Sequence, residues 1–442
     1  MSRTLTLLSL GLLAAGCCGP DITNVEVTVS EVIPTVATVT WETCEATTGY
    51  VAFGPGDDRE LRTHTELEPA TEHSMTLLGV PANTDGSFEI VVVDDDGAES
   101  PGDVGEFTTG GLAPGLPGLE VTGSGMDQYM VLPMLGSPVG LVILDAAGNF
   151  LWWHFEDRGL DVYRAMLSVD GESLLYNAAS VSGDVSEDSQ IMRVSLDGTQ
   201  VTAIDVPLLA HEFVEHADGT IGAMIVEYVD DGEGGEIKSN GIVEIAPDGT
   251  QTQVWSAMDC FDPEVDVGDD QEYGWTFANA LDWDGTYYYM SLRNFSTVVQ
   301  IDPRDGSCGW AFGDVGATIT PASGSARFMH SHQFEILDGG FLVFDNDGSI
   351  AQESRVLEYA FDPVAGTAEQ IWEYTTDPAV WSFVLGDVDR FDNGDTLVTW
   401  SVNGLIELVR DDQPVWTMSS NFGSAFGFNT VREDLYAADD HL

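Results

Sequence analysis

One pattern constrains the fold of this chain more than any other. After residue 120 a strand, an Asp-bearing turn and a second strand, often holding Trp, recur six times. The copies read GLVILDAAGNFLWW, IMRVSLDGTQVTAI, GIVEIAPDGTQTQVW, TVVQIDPRDGSCGW, RVLEYAFDPVAGTAEQIW and GLIELVRDDQPVW. Anchored on Asp145, Asp197, Asp248, Asp305, Asp362 and Asp411, they stand 52, 51, 57, 57 and 49 residues apart. That period suits one four-stranded blade per repeat. A second hairpin signature falls between the copies, as SVDGESLLY, HADGTIGAM, DWDGTYYYM, ILDGGFLVF and FDNGDTLVT. Two hairpins per period are what such a blade needs. The pattern predicts an all-β chain in which residues 120–442 form a six-bladed β-propeller. The C-terminal SAFGFNTVREDLY is expected to supply a strand that closes the ring against the first blade.

Residues 21–110 carry no such period. VATVTWET places Val39 and Trp41 on one face of a strand, and GYVAFG and SFEIVVVDDDG follow as further strands. This segment is expected to be a small β-sandwich, and it resembles a fibronectin type III domain. A Gly/Pro-rich linker, residues 111–119, separates it from the repeats and makes the two parts look separable.

The first residues read as a targeting segment. Arg3 precedes an apolar stretch from Leu5 to Ala15, too short to cross a bilayer, which ends in Ala14-Ala15-Gly16-Cys17. The pattern resembles a bacterial lipoprotein signal over residues 1–17, with Cys17 lipidated and the protein anchored in the cell envelope, in the periplasm or at the cell surface. An ordinary secretory signal with an incidental Cys17 is the alternative. Of the other cysteines, Cys260 and Cys308 lie in neighbouring repeats without metal-binding spacing, and a disulfide between them fits an oxidising compartment. On the chain-entropy model it contributes about 4 kcal/mol.

Charge narrows the partners. Seventy-five acidic residues face 14 basic ones, a net charge of −61. Such a surface repels nucleic acid and anionic lipid headgroups, so nucleic acid is excluded and membrane contact is expected through lipid alone. DNDGS at Asp345–Ser349 looks like part of a calcium loop but lacks the later carboxylate such loops need, and no metal is expected.

The repeat also points to a site. Each DG hairpin follows, by six or seven residues, a position expected in the strand that lines the central channel. Those positions hold Arg164, His211, Phe277, His332 and Asp387. Equivalent blade positions converge on one channel mouth, so His211 and His332 are expected to share a cavity. There they serve as nucleophile, acid, base or metal ligand, or else as hydrogen-bonded core histidines.

From about residue 205 to 435 the chain resembles the arylsulfotransferase family. His211-Glu212-Phe213 before its Asp-Gly turn looks like the family's H-[HD]-[DE]-F segment. Trp275-Thr276-Phe277-Ala278-Asn279 looks like W-x-H-x-N, and Ser291-Leu292-Arg293 like S-x-R. His332 followed by FEILDGGFLVFDN looks like the Q-H-D segment with its LFDN strand, and Ser354-Arg355 continues that match. The resemblance implies a cofactor-independent, nucleotide-free transfer of sulfuryl groups from small aromatic sulfate esters to phenols. It implies His332 as the nucleophile that carries the group, with His211, Asn279 and Arg293 around the sulfuryl oxygens and the phenolic proton. Arg355 and Phe277 are expected beside the substrate. The chain departs from the pattern at two places. Phe277 stands where the family has histidine, and Ser331-His332-Gln333 replaces Q-H-D. A catalytically impaired propeller that binds a ligand or partner is therefore the alternative.

Overall fold

The computed structural model describes residues 21–94, 96–180, 187–268, 271, 273–346, 352–420 and 425–436. The lipidation site expected at Cys17 lies outside them. The described residues are almost wholly antiparallel β-structure, with three short 3-10 turns.

Beyond residue 118 the strands gather into six antiparallel sheets of four or five strands among the described residues. Every repeat-anchoring Asp falls in the same turn, between the third and fourth strand of its own sheet. Asp145 lies between Gly140–Leu144 and Phe150–Phe155, and Asp411 between Leu405–Arg410 and Gln413–Ser420. The reason is turn chemistry: the Asp carboxylate accepts the backbone N–H two residues on, replacing a missing backbone partner. Asp145, Asp197, Asp248, Asp305 and Asp362 all do this, at 2.9–3.0 Å. The second signature marks the hairpin between the first and second strands, as at Asp218-Gly219 between Leu209–Glu215 and Ile221–Asp230. The two hairpins build a β-propeller.

Both chain ends close the ring. The short strands Ala425–Phe426 and Thr430–Arg432 pair with Tyr129–Leu135 as the innermost strand of the first blade. At the other edge, Leu119–Gly123 adds a fifth, outermost strand to the last blade by pairing with Gln413–Ser420. Closure removes the exposed edges that would otherwise template pairing with other chains. Cys260 and Cys308 are disulfide-bonded, with Cα atoms 6.1 Å apart, within one blade and its entry loop. Cys44 is disulfide-bonded as well.

Residues 23–108 form a two-layered sandwich around one long strand, Ala37–Pro55. Its first half pairs with Thr23–Val29 and Ala70–Leu77, and its second half with Leu61–Arg62 and Asp85–Val93. Val39 and Trp41 point into its core, where Trp41 stacks on His73 at 4.7 Å.

The sandwich and the ring share one hydrophobic cluster, in which Ile33, Val36 and Leu78 pack with Trp152, Leu196 and Leu435. Thr35 donates to Leu151 O and Ser30 to Asp197 O, both at 2.6 Å. Tyr436, just past the ring-closing strand, accepts from Leu78 N and donates to Thr76 O. The contact is tight: a Cβ added at Gly198, where φ is +74°, would stand 2.7 Å from Ile33 Cδ1. The linker thus joins two parts that are packed together rather than separately tethered.

Ile33→Ala should therefore remove buried methylenes from both parts at once, costing about 2–4 kcal/mol. Urea unfolding followed by fluorescence and by circular dichroism should show one shared transition that shifts as a unit. A sandwich transition that moves alone would contradict the shared core.

Candidate active site

The inner strands of the blades all start at one face of the ring, so the residues at or just before their first positions meet at one mouth of the channel. His211 lies in Leu209–Glu215, Asn279 in Ala278–Trp283, and His332 two residues before Phe334–Leu337. The turns between second and third strands reach the same mouth. They bring Arg293, in the 3-10 turn Arg293–Phe295, and Asn346, which follows Gly340–Asp345.

Buried asparagines brace these segments, both within a blade and from one blade to the next. Asn177 Oδ1 accepts from Tyr163 N and Arg164 N, and its Nδ2 donates to His211 O. Asn240 Oδ1 accepts from Thr276 Oγ1 and Ala278 N, both at 2.8 Å. Asn294 Nδ2 donates to Gly274 O at 2.7 Å. These side chains satisfy backbone groups that the strand ladders leave open, which fixes loops that have no regular structure of their own.

The same device orients His332. Asn346 Nδ2 donates to Ser382 O and Leu385 O, each at 2.7 Å. Its Oδ1 must then face His332 Nδ1, 2.9 Å away, so Nδ1 carries the proton and Nε2 keeps its lone pair. His211 is set likewise: its Nδ1 lies 3.2 Å from Ala278 O, which can only accept. The two rings stand perpendicular, with centroids 6.3 Å apart. Tyr163 and Phe277 flank His211, and Phe428, from the ring-closing segment, flanks His332 at 6.3 Å.

Both imidazoles are held neutral. Burial lowers His211 to about 4, helped by the positive charge of Arg293. Burial also lowers His332 well below the ordinary range, with His211 and Arg293 adding to the effect. A neutral imidazole has a lone pair that can act as nucleophile or base, and a guanidinium can attract an anion.

The other expected residues occupy definite places. Arg293 lies with its Cζ 5.7 Å from the centre of the Phe277 ring, and its Nη1 donates to Asn294 Oδ1 at 2.7 Å. Phe277 takes a left-handed backbone, φ +43°, and stacks on Tyr273 at 5.0 Å. Asn279 Nδ2 donates to Ser331 O at 3.0 Å, bracing the residue before His332, while its buried Oδ1 has no hydrogen-bond partner among the described residues. Arg355 is held by structural contacts: its Nε pairs with Asp345 at 2.8 Å, and Glu373 and Arg327 O take its other nitrogens.

Beneath the histidines the channel is acidic. Glu212 accepts from Gln333 Nε2, and Arg164 Nε lies 3.1 Å from its other oxygen as an ion pair without hydrogen-bond alignment. Asp387 accepts from Asn429 N and Val388 N, and Glu335 from Arg390 N. Burial raises Glu212 to about 8, Glu335 to about 7 and Asp387 to about 6, and lifts Asp389 well above the carboxylate range. Arg164 opposes the shift at Glu212, Asp387 and Asp389, but burial outweighs it at all three.

The pairing of Gln333 with Glu212 and the role of Asn346 do not show in the motifs. The one signal for Asn346 was its place at the end of the FDN strand.

The arylsulfotransferase (ASST) family model matches residues 129–420. No curated protein matches this chain. Among solved structures, a protein of unknown function from Bacteroides caccae is 13% identical, with 69% of this chain and 99% of that one covered at a TM-score of 0.43. Apo AztD from Citrobacter koseri is 10% identical, with 69% and 99% covered and a TM-score of 0.36.

The histidine shifts have a signed consequence. The unfolded chain binds protons on these rings near pH 6.5, while the folded chain refuses them down to about 4 at His211. Their contribution to stability is thus complete above pH 6.5 and is lost as pH falls toward 4. In an NMR titration the His211 ring should keep its neutral-form shifts until close to pH 4. Titration near 6.5 would show a solvated, unburied site.

Proposed function

The chain belongs to the arylsulfotransferase family, and from that premise we propose that it transfers sulfuryl groups between phenolic oxygens with His332 as the covalent carrier. The observation that carries this reading is the Asn346–His332 hydrogen bond, which leaves the Nε2 lone pair available on a ring whose centroid is 6.3 Å from that of His211. In the first half-reaction Nε2 forms a bond to sulfur as the sulfur–oxygen bond to the aryl group breaks, and the aryl oxide leaves with the electron pair. Nδ1 keeps its proton throughout, so the sulfurylated ring is cationic and remains a good leaving group. In the second half-reaction a phenol gives its proton to His211 Nε2 and takes the sulfuryl group from His332. Arg293 supplies the positive charge for the equatorial oxygens, and Asn279 holds the Ser331 carbonyl while keeping one N–H for the site.

Phe277 supplies no hydrogen bond where the family has histidine. Loss of one such donor costs about 3 kcal/mol of transition-state stabilisation. That same feature favours the second reading, a propeller that binds aryl sulfates without turning them over. We also propose that lipidation of Cys17 anchors the protein in the cell envelope, with the fibronectin type III-like sandwich as a spacer. Cys17→Ser should then release the protein from the membrane fraction.

Incubation with an aryl sulfate should leave a sulfuryl adduct on His332 by mass spectrometry, and His332→Ala should abolish it. Phe277→His should raise turnover, by up to about a hundredfold. No adduct in either the native protein or Phe277→His would leave the binding reading in place.

A further inference from the structure

The loop that enters the last blade, residues 375–386, carries exposed apolar residues between two buried anchors. Within it Ser382 and Leu385 are buried, while between them Phe383 is 54% and Val384 39% exposed. Trp381 sits beside Phe383, with ring centroids 5.6 Å apart at 59°. The Trp381 indole N–H is buried yet has no acceptor among the described residues. A buried donor left without a partner is costly, and a group that arrives from outside is one way to satisfy it.

The loop is tied to the nucleophile by three hydrogen bonds. Ser382 O and Leu385 O each accept from Asn346 Nδ2 at 2.7 Å, and Asn346 Oδ1 accepts from His332 Nδ1 at 2.9 Å. Ser354 Oγ fastens the same corner: it accepts from Ser382 N at 3.0 Å and lies 3.2 Å from both Asn346 O and Ser382 O. Two anchors set the imidazole, and the exposed apolar residues stand between them at the mouth where the inner strand Asp387–Arg390 begins.

We propose that this loop recognises the aryl ring of the substrate, with Phe383 and Trp381 taking the ring face and the Trp381 N–H reaching an ester oxygen. The proposal rests on the sulfotransferase reading for its substrate and deepens it by naming the residues that choose that substrate. An exposed Phe383 packed on Trp381, in the loop whose carbonyls hold Asn346 and so His332, supplies what an anion-binding site lacks: a surface for the uncharged part of the ester. The Asn346 link adds a consequence, since a ring that settles the loop also settles the carbonyls that hold the His332 tautomer.

The test uses the full chain with 4-nitrophenyl sulfate as donor and phenol as acceptor, and measures binding of 4-nitrobenzenesulfonate by calorimetry. The sulfonate keeps the ring and the charge but has a carbon–sulfur bond that cannot transfer. Phe383→Ala and Trp381→Ala should each raise KM and the sulfonate Kd about tenfold. Trp381→Phe should recover most of the ring contact but not the N–H. Ile371→Ala, an exposed residue on an outer strand, should change neither constant. If no variant turns over but the sulfonate Kd still rises in the loop variants, the loop assignment stands and the sulfotransferase reading falls. Unchanged KM and Kd in folded loop variants would overturn the assignment, as would a native protein that neither turns over the ester nor binds the sulfonate.

Discussion

The pairing of Thr430–Arg432 with Tyr129–Leu135 is the contact on which the rest of this structure depends. A propeller is stable as a closed ring, because each blade buries its faces only against its two neighbours. Here closure also builds the site. The closing segment places Phe428 beside His332, donates Asn429 N to Asp387, and accepts from Arg164 Nη1 at Asn429 O. The same segment runs on to Tyr436, which is locked into the sandwich at Thr76 and Leu78. Loosening the sandwich therefore strains the ring, and an open ring has no complete channel mouth.

Much of the fold was legible in the sequence because its signals are local. An Asp that accepts a backbone N–H two residues on makes its turn wherever it stands, so Asp145, Asp197, Asp248, Asp305 and Asp362 report the blade register without tertiary information. The closing strand was legible as well, because a ring of repeats needs a partner for its first sheet. The packing of sandwich on ring was not. Ile33 and Gly198 carry no periodic signal, and their contact depends on how two domains meet.

The candidate site divides along the same line. The repeat placed His211 and His332 at equivalent positions, and they stand with ring centroids 6.3 Å apart. Arg355 shows what such reasoning misses. It stands directly across from Asp345 in the sheet register, and that carboxylate takes its guanidinium. A cross-strand partner ten residues away is invisible to a motif that records only residue types in order. The tautomer of His332 is fixed by two carbonyls of the next blade acting through Asn346, a relation that exists only once the blades are side by side.

On the sulfotransferase reading, the acidity of the chain raises a question about how an anionic ester would be received. A net charge of −61 opposes the approach of any sulfate, and the acidic channel lies directly beneath the histidines. Burial changes the balance where it matters. With Glu212 raised to about 8 and Glu335 to about 7, the first stays largely protonated and the second about half protonated at neutral pH, so the charge below the site is smaller than the residue count suggests. Arg293 adds a positive charge beside the two histidines. The balance has a direction. As pH rises from the ordinary carboxylate range through 7 and 8, these acids ionise, the folded state loses the advantage of holding their protons, and the channel becomes more repulsive to sulfate. The lowered imidazoles and the raised carboxyls thus lie on opposite sides of their ordinary values, and both follow from burial inside a closed ring.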